Sequence, residues 1–157
     1  NGSNPKHFNS KTPRLELGFI KYATNIMGTK GPRKLAVYLP PIDSSGKRTK
    51  IQPPNTASMS KIVKSDQVSK LLQFENKEPK WSDKHKALVL DFRGRITKPS
   101  VKNFQLANRS NKDSDDFSLQ FGRVGENRFT LDFKYPFSAI QAFAIALSAL
   151  DHKWACE

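Results

Sequence analysis

The sequence predicts a mainly β (α+β) domain in which an antiparallel sheet wraps around one hydrophobic C-terminal helix. Three observations carry that expectation. The stretch Pro136–Leu150 contains no charge, and only Ser138, Gln141 and Ser148 interrupt its apolar character. Ahead of it lie six or seven short runs in which apolar and polar residues alternate with the period of a strand. Between the runs stand clusters of Gly, Pro, Ser, Asn and Asp, the residues that turns demand. A helix apolar on every side must be enclosed by protein or lipid. A bilayer span takes about 20 apolar residues, whereas this run is shorter and ends at Asp151, His152 and Lys153. A surrounding sheet is therefore the expected enclosure.

Taken in order, residues 1–13 read as a loop, and Leu15 to Tyr22 alternates as a strand with Leu15, Leu17 and Phe19 on one face. Asn25–Lys34 is a Gly-rich basic turn leading to the buried-type strand Leu35–Leu39. Pro40–Pro54 is a loop by composition, with a brief strand expected at Ile51, and Thr56–Val63 fits a short helix. Leu71–Phe74 is strand-like and Asn76–Pro79 turns the chain. Lys86–Phe92 and Val101–Leu106 are strand-like, and 109–116 is a polar loop. Phe117, Leu119 and Phe121, then Phe129, Leu131 and Phe133, form an alternating pair across a three-residue turn at Gly125–Asn127. The helix follows at about 136–150. Its start is marked twice, by Pro136 as a first helical residue and by the capping-box spacing of Ser138 and Gln141.

The 157 residues suit one domain. The single Cys156 excludes an internal disulfide framework and fits a reducing compartment. Net charge is +13, and it is unevenly placed. Residues 1–100 hold 20 Lys/Arg against 7 Asp/Glu, while 101–157 hold 7 against 7. The whole surplus lies in the first two thirds, which points to a polyanion: nucleic acid or an anionic membrane face.

Three basic groups are candidates for phosphate contacts. Lys30, Arg33 and Lys34 flank a turn in which Gly28 and Gly31 admit a close anion. Lys47, Arg48 and Lys50 form a second group, and Arg93, Arg95, Lys98 and Lys102 gather around Gly94. Aromatic residues fall on the apolar faces of strands and not among these cations, which argues against a base-stacking platform. No catalytic site assembles: His7, His85 and His152 are dispersed without metal-ligand spacing. Gly28–Lys34 lacks Walker spacing, and Ser58-Met-Ser-Lys61 has no partner motif. The expectation is a binding module, not an enzyme, with no cofactor and no metal.

The C-terminal run Gln141-Ala-Phe-Ala-Ile-Ala-Leu-Ser148, with Asp151 and Lys153-Trp-Ala-Cys-Glu157, resembles the closing signature of the tubby family. Arg93-Gly-Arg-Ile-Thr-Lys-Pro-Ser-Val-Lys-Asn-Phe-Gln105 resembles the family's second signature. Gln120–Val124, Phe129–Asp132 and Asn25–Lys34 fall in the expected order. Arg93, Pro99, Ala149-Leu150 and His152 depart from the usual residues, which marks a divergent member.

The resemblance implies a closed antiparallel barrel, twelve-stranded in the family, threaded by the hydrophobic helix. It implies that residues 1–157 are the C-terminal portion of that single domain, without the upstream Lys-x-Arg motif, so that the helix stays partly uncovered. It implies binding of phosphatidylinositol 4,5-bisphosphate and membrane tethering. By family register Arg14 is the headgroup ligand, with Lys21, Lys30, Arg33 and Lys34 as further membrane or polyanion contacts. The implied setting is a monomeric adaptor in the cytoplasm, peripheral at the inner face of the plasma membrane, with trafficking or receptor partners and access to the nucleus. The alternative is a nucleic-acid-binding or transcription-modulating domain, weakened by the lack of a groove-reading helix.

Overall fold

A computed structural model describes residues 14–23, 34–53, 55–84, 86–111 and 115–150. Six strands form one antiparallel sheet in the order β1 (Phe19–Tyr22), β2 (Leu35–Leu39), β3 (Leu72–Asn76), β6 (Phe104–Asn108), β7 (Leu119–Gly125) and β8 (Arg128–Phe133). The short strands β4 (Lys80–Ser82) and β5 (Ala87–Val89) make a separate hairpin between β3 and β6 in the chain. Helix α1 (Met59–Val63) and a 3₁₀ turn (Asp66–Lys70) precede β3, and α2 (Ala139–Leu150) closes the described chain.

Alternation places Leu35, Val37 and Leu39 of β2 on one face with Phe74, Phe104, Leu106, Leu119 and Phe121. Helix α2 covers this face with Ala142, Ile145, Ala146 and Ala149, each almost fully buried. Phe137 packs against Phe74 with ring centroids 4.5 Å apart. Tyr22 ties the edge of the sheet to the helix: Ser148 Oγ donates to the Ile145 carbonyl, so the Tyr22 hydroxyl is the donor in the 2.8 Å bond to Ser148.

The helix starts at its Ser138 cap. The Ser138 N–H donates to Gln141 Oε1 at 3.0 Å, and the Gln141 N–H returns to Ser138 Oγ at 3.4 Å, a capping box. Pro136 lies ahead of the helix, in a cis peptide with Tyr135, and is not its first residue. Gln141 also donates to the Leu17 carbonyl at 2.6 Å. Among the described residues the other flank of α2 is left open, with Ile140, Phe143 and Leu147 63%, 58% and 51% exposed.

The closed barrel is not reached among the described residues, since β1 and β8 are the two ends of the sheet. Other boundaries also differ from expectation, for reasons of hydrogen bonding. Leu15–Leu17 is not strand: the Glu16 N–H donates to the Ile51 carbonyl at 2.8 Å and the Leu17 carbonyl is taken by Gln141. Ile51 forms no strand, although it is buried. Lys86–Phe92 shrinks to β5 because Asp91 turns the chain, its Oδ1 accepting the Arg93 N–H at 2.7 Å. At the β7–β8 hairpin Gly125 belongs to β7 and pairs with Arg128, leaving a two-residue loop with Asn127 at φ 53°. A bulge between Arg123 and Gly125 absorbs the extra residue.

On the outer face, Tyr38, Ile51, Met59 and Leu71 form a second cluster, over which Ile62, Val63 and Val68 pack. Further along the sheet the 91–103 segment covers β6–β8, with Ile96 seated on Gly122. A Cβ at Gly122 would stand 2.3 Å from Ile96 Cδ1 and 2.7 Å from Cγ2. Gly122→Ala therefore forces this segment off the sheet, and a loss of about 1–3 kcal/mol in urea unfolding is expected.

Candidate functional site

The basic wall begins where the chain enters the sheet. The extended segment 14–18 is held from both sides. The Met59 N–H donates to Glu16 Oε2 at 2.5 Å, and α2 holds the Leu17 carbonyl through Gln141. Arg14 stands exposed at the head of this clamped segment. Lys21 is exposed in edge strand β1, paired with Ala36 of β2. Strand alternation puts Lys21 on the outer face with Phe19, above which α1 and the 3₁₀ turn pack. Lys34 is exposed beside it, its carbonyl accepting the Ala23 N–H at 2.9 Å. Lys21 and Lys34 thus stand close together on the paired β1 and β2 segments. Lys30 and Arg33 lie outside the described residues.

Helix α1 and its 3₁₀ turn add exposed Lys61, Lys64 and Lys70 to the outer side, with Asp66 as the acidic member of that segment. None of these lysines stood out in the sequence as a polyanion contact, Lys61 figuring there only in the Ser58-Met-Ser-Lys61 pattern. Their signal was faint, because a five-residue helix shows its outward face only once its apolar residues are seen against Tyr38.

In each of the other two basic groups one arginine, Arg48 or Arg95, is bound into the scaffold. Arg48 donates to the Pro40 carbonyl at 2.9 Å and to the Pro136 carbonyl, clipping the 40–53 segment to the helix approach. Burial lowers the pKa of its guanidinium. The Asp43 carboxylate organises the same loop by accepting from the Ser45 hydroxyl and the Lys47 N–H, which lowers its pKa. Arg95 is a bidentate partner of Asp132, at 3.0 and 2.6 Å.

That ion pair ends a chain of bonds across three strands. Buried Gln105 donates to Gln120 at 3.0 Å, and Gln120 donates to Asp132 at 2.8 Å. A second contact from Gln105 reaches the Asp91 carbonyl at 2.9 Å. Arg93 is drawn away from Arg95, towards Asp115 and the ring of Phe117. Aromatic and basic residues do meet here, against expectation, and exposed Trp81 stands beside Lys80. Among the described residues no group of His, Cys, Asp or Glu is placed to hold a metal, and no helix is long and apolar enough to cross a membrane.

One antiparallel sheet with an apolar helix behind it and lysines exposed on its outer side defines a mainly β module. Residues 1–152 match the Tub family, and the chain belongs to that family. It is 46% identical over 160 residues to Tubby-related protein 2 of Mus musculus, covering 99% of this chain and 28% of that protein. It is 45% identical over 148 residues to Protein king tubby of Drosophila pseudoobscura pseudoobscura, covering 93% of this chain and 32% of the relative. The Drosophila sechellia king tubby protein is 44% identical over 150 residues, with 33% of its length covered. The chain thus spans about a third or less of these relatives.

The Arg95 hydrogen bonds, partly offset by burial, hold the Asp132 carboxyl below its ordinary 3.8. A depressed folded-state pKa contributes stability that is present above the unfolded value and lost as pH falls through the folded one. Asp132→Asn should therefore flatten the acid limb of the unfolding midpoint plotted against pH, below about pH 5, and leave the slope near neutrality unchanged.

Proposed function

We propose that the chain is the sheet-and-helix part of a phosphoinositide-binding module that tethers its protein reversibly to a membrane. Membership of the Tub family and the basic β1–β2 hairpin support the reading, and the hairpin carries it. Arg14, on a segment clamped by α1 and α2, grips a ring phosphate of phosphatidylinositol 4,5-bisphosphate, for which a planar guanidinium supplies two parallel donors. Lys21, Lys34 and the α1 lysines add diffuse attraction to the anionic surface, on the order of 1 kcal/mol each. Lys30 and Arg33, which lie between β1 and β2 in the chain, belong to the same set.

In this reading further strands pair with the open edges at β1 and β8 and close the barrel over Ile140, Phe143 and Leu147. The module acts as a monomeric adaptor without catalytic chemistry. It works at the inner face of the plasma membrane, and release from the lipid frees it to the cytoplasm or nucleus. A nucleic-acid reading is less well supported, because α2 presents Ala, Ile, Phe and Leu where a groove-reading helix carries polar side chains.

The test is co-sedimentation of the complete protein with liposomes of equal total charge, with and without the bisphosphorylated lipid. Arg14→Ala should weaken lipid-specific binding roughly tenfold, and Lys21→Ala should weaken binding to all anionic liposomes roughly fivefold. Binding that follows total charge alone and ignores Arg14 would defeat the specific-ligand reading. Sequence-selective duplex binding with a steep salt slope would favour nucleic acid.

A further inference from the structure

A second cationic site lies away from the β1–β2 hairpin and shares no residue with it. Lys77, Lys80 and Arg93 line a cleft of about 270 Å³ where the β4–β5 hairpin meets β6. Lys77 and Arg93 are held in place. Lys77 is buried just after β3; its N–H donates to the Gln105 carbonyl at 2.9 Å and its Nζ to the Asp116 carbonyl at 3.4 Å. Arg93 adopts a left-handed backbone, φ 51°, fixed by its N–H on Asp91. Its guanidinium lies 5.2 Å from the centre of the Phe117 ring and donates to the Asp115 carbonyl at 3.3 Å. Lys80 reaches in from β4, and Trp81, 60% exposed, stands at the rim.

The cluster already holds an anion of the chain's own. The Asp115 carboxylate accepts from Lys80 Nζ at 2.7 Å. Lys80 lowers the pKa of that carboxyl most, with Lys77 and Arg93 adding to the effect. Lys77 shows the converse: burial lowers the pKa of its ammonium, Lys80 and Arg93 push the same way, and Asp115 and Asp116 oppose them.

Of the other acidic groups, Asp116 is engaged by Lys134 at 2.5 Å. Asp91 is bound to the Arg93 backbone, and Glu78 is exposed at the rim. The Lys80–Asp115 pair sits in solvent, its side chains 65% and 90% exposed, so it holds only weakly. A doubly charged oxyanion competes well for that place. It brings twice the charge of a carboxylate to Lys80 and has oxygens to spare for Lys77 and the Arg93 guanidinium.

We propose that this cleft binds the phosphomonoester group of a soluble ligand whose apolar or aromatic part packs on Trp81, and that Asp115 is the carboxylate it displaces. The cleft is small, so a single phosphorylated group with one ring fills it. The proposal does not rest on the membrane reading, since Arg14 and Lys21 take no part in it.

The probe is phenyl phosphate, titrated into the chain while the Trp81 indole N–H resonance is followed by NMR; that N–H donates to Asp83 at 3.1 Å and reports locally. Inorganic phosphate, benzoate and glycerophosphoinositol bisphosphate are the comparison arms. Phenyl phosphate should bind more tightly than phosphate, which lacks the ring, and than benzoate, which lacks the second charge. Lys80→Gln should weaken it roughly fivefold and Asp115→Asn should tighten it roughly as much. Both positions are exposed, so both variants fold. Arg14→Ala should leave the titration unchanged, which separates this site from the membrane wall. The assignment is overturned if Asp115→Asn weakens binding or leaves it unchanged, if Lys80→Gln has no effect, or if benzoate matches phenyl phosphate. Tighter binding of glycerophosphoinositol bisphosphate than of phenyl phosphate would give the cleft to a lipid headgroup and overturn the soluble-ester assignment.

Discussion

The close approach of α2 to the sheet is the contact on which the rest depends. It is made largely by small residues: Ala142, Ala146 and Ala149, with Ile145, share one buried cluster with Phe74, Leu106 and Leu119. Side chains of this size let a helix pack on a sheet face with few voids, the condition for a dense interior. Because the inner face is spent on this packing, everything that interacts with charge must stand on the outer face or at the strand ends.

The outer face is divided by chemistry. Over β1–β3 it is apolar and is closed by α1 and the 3₁₀ turn, which leave their lysines outside. Over β6–β8 it is polar, and the pairing registers Gln105↔Gln120 and Gln120↔Asp132 bring three hydrogen-bonding side chains into one row. Arg95 completes the row, so an arginine beside Gly94 that reads as a phosphate ligand is consumed in structure. A buried polar row of this kind is worthwhile only when its members find partners, and Gln105, Gln120 and Asp132 each have at least two here. Elsewhere the cations stand at the surface: Lys21 and Lys34 are exposed on β1 and before β2, and around Trp81 Lys80 is held by Asp115 in a pair open to solvent.

The strand runs were legible because alternation at period two survives in any sheet with one buried face. Leu35–Leu39, Leu119–Phe121 and Phe129–Phe133 lie where the pattern put them. Strand ends were not, because they depend on where distant partners take the hydrogen bonds. Glu16 looks like strand until Ile51 claims its N–H, and the turn at Gly125 shortens once Arg128 pairs with it. The family was legible from the long runs at Arg93–Gln105 and Gln141–Ser148, whose residues line the sheet and helix at fixed spacing.

The sequence by itself determined the fold class, the uncharged helix with its Ser138–Gln141 cap, and the confinement of net charge to the first hundred residues. These are local properties of composition and period. Only the tertiary structure decided which cations remain available. Arg48 and Arg95 are bound into the scaffold by groups 88 and 37 residues away. Lys77, Lys80 and Arg93, unremarkable as a set in the chain, meet in one cleft because β3, the β4–β5 hairpin and β6 converge there. Charge is written residue by residue, but whether it is offset depends on partners that only chain folding brings within a few ångströms.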